Sequence, residues 1–170
     1  GQAALVAPDL SWGNQGSLTL APGGPPTSLH AMLPVGDTLL LAGTADAAPR
    51  KQGIVSRLRA GLPDGDFGDG GRVVISQAYG VDLRALLPRP DGRVWVAGAA
   101  LDPASSDLLL AELSPSGALL RLQRIDTGSA EERIWSLVAG PEGTIFAKAH
   151  VVRGGHEDIA VLRFIDRPSS

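Results

Sequence analysis

The sequence predicts an all-β chain of three four-stranded antiparallel repeats, and three observations carry the prediction. The first is punctuation. Gly and Pro supply 22 and 13 of the 170 residues, and the longest stretch free of both, 156–167, allows about three helical turns. The second is internal repetition. Trp12-Gly13-Asn14-Gln15-Gly16 returns as Phe67-Gly68-Asp69-Gly70-Gly71, and Leu39 to Gly43 returns as Val94 to Gly98, both at an offset of 55. Pro90-Asp91-Gly92-Arg93-Val94-Trp95 returns as Pro141-Glu142-Gly143-Thr144-Ile145-Phe146, and Asp107 to Leu113 as Asp158 to Phe164, at an offset of 51. Independent blocks that share one offset mark copies of one supersecondary unit. The third is that each copy holds short apolar runs between turn residues, and Pro-Asp-Gly or Pro-Glu-Gly joins two of them as in a hairpin.

Four strands are expected per unit. The first is 29–33, 83–87 or 134–138, and the second is 38–44, 93–99 or 144–150. The third is 52–58, 107–113 or 158–164. The fourth, after the aromatic-Gly turn, is 17–21, 72–76 or (with the turn lost) 118–124. One segment resists. Ser129-Ala130-Glu131-Glu132 is a capping-box pattern, with Ile134, Leu137 and Val138 at helical spacing and Gly140 as a stop. The repeat makes 134–138 a strand, and this longer-range evidence overrides the local pattern.

Four antiparallel strands in some fifty residues is the size of a propeller blade. The chain, read as the single repeat domain 1–170, divides into units of roughly 22–76, 77–124 and 125–170. Residues 1–21 are expected to give a closing strand to the last unit. Three blades fall below the usual four to eight. The expected remedy is a two-fold homodimer of six blades; a longer parent chain, a β-sandwich and a compact three-blade ring are the alternatives.

Composition narrows the function classes. Fifteen basic against eighteen acidic residues, net −3, with no basic block, gives no sign of a nucleic-acid partner. No apolar run approaches a membrane span, the longest being 94–101, so membrane insertion is not expected. Cysteine is absent, which excludes a disulfide frame and thiolate metal sites.

The residues Pro90-Asp91-Gly92, Val94 to Gly98, Arg57-Leu58 and the run from Gly61-Leu62-Pro63-Asp64 through Phe67-Gly68-Asp69-Gly70-Gly71 make this chain resemble the bacterial delta-60 repeat family, whose repeats are propeller-like. The resemblance covers nearly the whole chain. It thins in the third unit, where Ala149 replaces Gly98 and the Phe-Gly turn is missing after Gly117. It implies a bacterial protein that is secreted, periplasmic or on the outer cell surface, and it brings no catalytic residues.

Several motifs invite chemistry. Asp126-Thr127-Gly128-Ser129 is the Asp-Thr-Gly of aspartic proteases, where two carboxylates share a proton, but Gln123 and Arg124 precede it where an apolar strand belongs. Asp64-Gly65-Asp66-Phe67-Gly68-Asp69-Gly70 offers carboxylates for calcium, yet Gly68 holds a ligand position and Ile75 stands where a glutamate is needed. His150, His156, Glu157 and Asp158 could bind zinc, or form a solvated hairpin tip. His30 has no nearby partner in sequence. Of the tryptophans, Trp12 and Trp95 occupy repeat positions shared with Phe67 and Phe146 and are expected in the core, while Trp135 is expected to be exposed. None of these is assigned as a catalytic, cofactor or metal residue, and no cofactor is expected. The leading expectation is a non-enzymatic binding or assembly module of the bacterial envelope or extracellular space, its ligand unassigned, with a protein partner or self-association expected. A carbohydrate-binding module is the alternative, and a hydrolase, aspartic-type through Asp126 or metal-assisted, comes after it.

Overall fold

A computed structural model describes residues 6–20 and 27–165. The described residues are all β, with no α-helix. In chain order the strands are β1 (Thr27–Val35), β2 (Thr38–Ala47), β3 (Arg50–Arg59), the two-residue β4 (Leu62–Pro63), β5 (Arg72–Ile75), β6 (Val81–Pro88), β7 (Val94–Leu101), β8 (Ser106–Leu113), β9 (Leu119–Ile125), β10 (Glu131–Ala139), β11 (Thr144–Arg153) and β12 (His156–Ile165). They pair as successive antiparallel meanders. The first is β1-β2-β3 with β5 on the far edge of β3, the second is β6-β7-β8-β9, and the third is β10-β11-β12.

The repeat offsets reappear as geometry. Each meander's first strand carries one register shift against its second, at Leu29/Ala31, Leu83/Ala85 and Ile134/Ser136. Opposite that shift the backbones press together. A Cβ on Gly43 would lie 2.0 Å from the Ser28 carbonyl oxygen, and one on Gly98 would lie 1.9 Å from that of Asp82, so glycine is required at both. Successive meanders touch edgewise through single parallel bridges, Lys51↔Gly80 and Ser106↔Glu131, which are repeat equivalents. The second bridge joins β8 to β10, so the sheets are antiparallel and mixed.

Two apolar layers separate the three meanders. Leu40, Ala42 and Val55 of the first pack with Leu83, Val94, Val96, Leu109, Ala111 and Leu113 of the second. Trp95, Ala97, Leu108 and Leu110, on the other face of the second, pack with Ile134, Leu137, Ile145, Ala147 and Ala149 of the third. The central strands β7 and β8 of the second meander are thus buried on both faces, which is why 94–101 and 108–111 read as unbroken apolar runs rather than alternating ones. At about 25 cal/mol per Å² of apolar surface removed from water, these two layers are the dominant stabilising term.

Residues 9–17 repeat the turn 64–72 bond for bond. Trp12 N–H donates to Asp9 O at 3.0 Å as Phe67 N–H does to Asp64 O at 3.0 Å, and Gly16 N–H to Trp12 O at 2.8 Å as Gly71 N–H does to Phe67 O at 2.9 Å. The seating is repeated too. A Cβ on Gly117 would meet the Gly68 nitrogen at 2.8 Å, and one on Gly61 would meet the Gly13 nitrogen at 2.6 Å. The turn 64–72 of the first meander therefore rests on the second, and the turn 9–17 rests on the first.

Among the described residues the sheets of one chain do not close into a ring, as the compact three-blade alternative would need. Two expectations need correction. The expected strand 17–21 is absent from its described part, since residues 18–20 form no ladder and Ser17 makes only an isolated bridge to Asn14; residue 21 lies outside the described residues. The turn before the expected strand is seated on Gly61 of the first meander, and the open sheets do not bring β12 of the same chain to that end of the stack. The third unit, expected to have four strands, has three among the described residues, and β12 pairs only with β11 there. Parts of the expected outer unit boundaries, 22–26 and 166–170, also lie outside the described residues. Elsewhere the expected strands are found, including 134–138 within β10.

Candidate functional site

The motifs that invited catalysis are occupied by local structure. The Asp126 carboxylate accepts the Gly128 N–H at 2.7 Å, an ordinary Asx turn. The rest of that loop is organised by Glu132, which is fully buried and accepts the N–H of Thr127 at 2.9 Å, the Thr127 hydroxyl at 2.6 Å and the Ser129 N–H at 3.0 Å. The Glu132-to-Ser129 bond is the one a capping box predicts, but the chain leaves it as a strand because Ile134 and Leu137 are needed on one face of β10. In the acidic turn, Asp64 is turned to Arg57 at 2.8 Å and Arg59 at 3.3 Å and accepts the Asp66 N–H at 3.2 Å. The residues that suggested zinc lie on the β11–β12 hairpin, where His150 Nε2 is 3.5 Å from Glu157. No group of three or more His, Cys, Asp or Glu suited to a metal is found among the described residues.

Sequence reasoning missed the buried ion cluster at Asp82. This carboxylate draws on all three meanders. It accepts the Thr44 hydroxyl of β2 at 2.7 Å and the Arg84 guanidinium of β6 at 2.9 Å, and it lies 3.0 Å from Arg133 Nε of β10. The Arg133 contact is an ion pair only, since that nitrogen has no aligned hydrogen-bond acceptor. Burial opposes ionisation of Asp82, but the hydrogen bonds from Arg84 and Thr44 and the charge of Arg133 outweigh it and lower its pKa. His30, also beside the cluster, is held below its usual value by burial first and by the Arg84 charge second, against the pull of Asp82. Repeat logic could have found the row. His30, Arg84 and Trp135 are equivalent residues at the three register shifts, and they touch in sequence. Arg84 is 3.4 Å from His30 Nδ1, and its guanidinium lies 5.0 Å above the Trp135 ring.

A second feature is the outer face of the third meander. Trp135 is 45% exposed there and borders a shallow cleft of about 260 Å³ with Lys148, Ala149, His150 and Ile159. Val138, Ile159 and Val161 extend the apolar surface, with Ile159 77% and Val161 75% exposed. Their repeat equivalents in the second meander, Leu108 and Leu110, are 0% and 2% exposed. Phe146, equivalent to Trp95, sits under Arg163 at 6.0 Å, as Trp95 sits under Arg121 at 4.9 Å. The face thus keeps an aromatic ring under an arginine and two exposed aliphatic side chains at buried repeat positions, while Lys148 and His150 stand where the second meander has the buried Ala97 and Ala99.

The opposite end has a matching gap. Leu29 is 49% exposed, whereas its equivalents Leu83 and Ile134 are both 0% exposed. Leu29, Ile54, Leu58 and Leu20 line a narrow groove of about 130 Å³ on the first meander's outward face. Trp95 is buried, as its repeat position suggested, whereas Trp12, also expected in the core, is only half-buried.

No protein-family model matches the chain, and no curated protein matches it significantly. The resemblance to the delta-60 repeats thus rests on the residues quoted for it.

Proposed function

We propose that this chain is a non-enzymatic assembly module of the bacterial envelope or extracellular space, built of three propeller-like blades and acting through the two end faces of the stack. One observation carries the reading. Residues whose repeat equivalents are wholly buried stand exposed at both ends, Ile159 and Val161 at one and Leu29 at the other. A contiguous apolar face of this kind marks an interaction site. The delta-60 resemblance supports the envelope or extracellular placement.

The alternatives have weaker support. A carbohydrate platform would use Trp135, but Arg84 already covers one face of that ring. A hydrolase would use Asp126, whose carboxylate is engaged by the Gly128 N–H.

The test is the concentration dependence of thermal stability. A protein that assembles through a folded-state interface melts higher as its concentration rises. The native chain is expected to do so, and Ile159→Glu/Val161→Glu is expected to melt at one temperature throughout. A native melt independent of concentration would refute self-assembly through this face.

A further inference from the structure

We infer that the third meander's missing fourth strand is supplied by residues 17–20 of a second copy, whose first meander covers the Ile159 and Val161 face. The inference rests on the assembly reading above and names its partner and register.

The two junctions already inside the chain set the pattern. At each, one face of a meander, carrying Val55 or Leu110, is buried by the next meander's face, carrying Leu83 or Ile134. The third meander offers the same kind of face through Val161, and the first offers the complementary one through Leu29. The second copy's first meander is thus the occupant that the repeat specifies.

The turn 9–17 fixes the rest. It has the internal bonds of the turn 64–72, and it sits on the first meander as that turn sits on the second. The turn 64–72 belongs to the meander that precedes its seat, and β5 follows it onto the edge of β3 in that preceding meander. By the same geometry, residues 17–20 follow their turn onto the edge of whatever meander precedes the first. In a pair of copies that edge is β12 of the partner, which pairs only with β11 among the described residues. Two such exchanges close a two-fold assembly, and both β12 edges are covered.

The register follows by transfer. Val55↔Val73 and Gly53↔Ile75 in the first meander become Val161↔Leu18 and Ile159↔Leu20 between copies. The outward-pointing N–H and C=O groups of β12 beside residues 17–20 gain backbone partners, as in strand addition to an exposed sheet edge.

The absence of cysteine from the chain allows a clean test. Cross-strand neighbours lie within disulfide reach. Purified Leu18→Cys chains are mixed with Val161→Cys chains under mild oxidation, with Leu18→Cys plus Ile159→Cys as the pair two residues out of register. Leu18→Cys/Val161→Cys in one chain is oxidised separately. The expected result is a covalent heterodimer from the in-register mixture, at least tenfold faster than from the out-of-register one, and a doubly linked dimer from the double variant. A double variant that loses its thiols at monomer mass would overturn the inference, because the strand would then close its own chain. A native chain of dimer mass whose in-register mixture does not cross-link would overturn strand exchange while leaving the assembly reading intact. A native chain of monomer mass would overturn both.

Discussion

Replacing Asp82 with Asn should measure how firmly the ion cluster ties the three meanders together. The carboxylate is 5% exposed and lies against two guanidiniums and a hydroxyl. Asn keeps the volume and removes the charge, which leaves Arg84 and Arg133 side by side with no counter-ion. Breaking a buried pair by removing one partner costs about 3–5 kcal/mol. Here both arginine side chains keep some water, at 22% and 26% exposure, so the lower end, about 3 kcal/mol, is the expected loss. For a domain of this size that is a fall in Tm of roughly 6–12 °C, read by circular dichroism at neutral pH. The pH dependence gives an independent check. The folded-state pKa of Asp82 lies below its ordinary 3.8, so its contribution is complete above about pH 4 and is lost as pH falls toward the folded value. The gap between native and variant melting temperatures should therefore narrow through that acid window. A fall in Tm under about 2 °C at neutral pH, or a gap that stays constant from pH 6 to pH 3, would refute the reasoning.

The same physical reading yields further expectations. Gly98→Ala puts a methyl against the Asp82 carbonyl and should cost about 2–3 kcal/mol by chemical denaturation, whereas Ala149→Gly at the equivalent position should cost only about 1 kcal/mol. Glu132→Ala strips the acceptor from the Thr127 and Ser129 donors and should cost about 3 kcal/mol, with hydrogen exchange accelerated at the 126–130 loop; unchanged exchange would contradict Glu132 as its organiser.

Much of the architecture was legible because the repeat constrains the chain at long range. Ser129 to Gly140 carries a helix start and helical spacing, yet the match of 134–138 to 83–87 placed that stretch in a strand, and β10 contains it. The continuous apolar run of β7 followed from burial on both faces. Residues 18–20 form no ladder in the single chain, because a strand is defined by the edge it pairs with, and no local pattern names that edge. The recurrence of the aromatic-Gly turn identified the segment correctly as the tail of a repeat, but not the meander it would rest on. The Asp82 cluster was hidden for a related reason. Thr44, Arg84 and Arg133 look like scattered strand-end polar residues until three meanders bring them within hydrogen-bonding distance of one carboxylate. The open face was half legible. β12 reads as an apolar strand, like its buried equivalent β8, but only the fold reveals that Ile159 and Val161 are left uncovered.

The central claim is that the stack is incomplete by itself and is completed by a second copy. The solution mass of the unmodified chain, measured by light scattering at tens of micromolar, tests it most directly. The account predicts twice 17.5 kDa, and a mass that stays at 17.5 kDa across that range would contradict it.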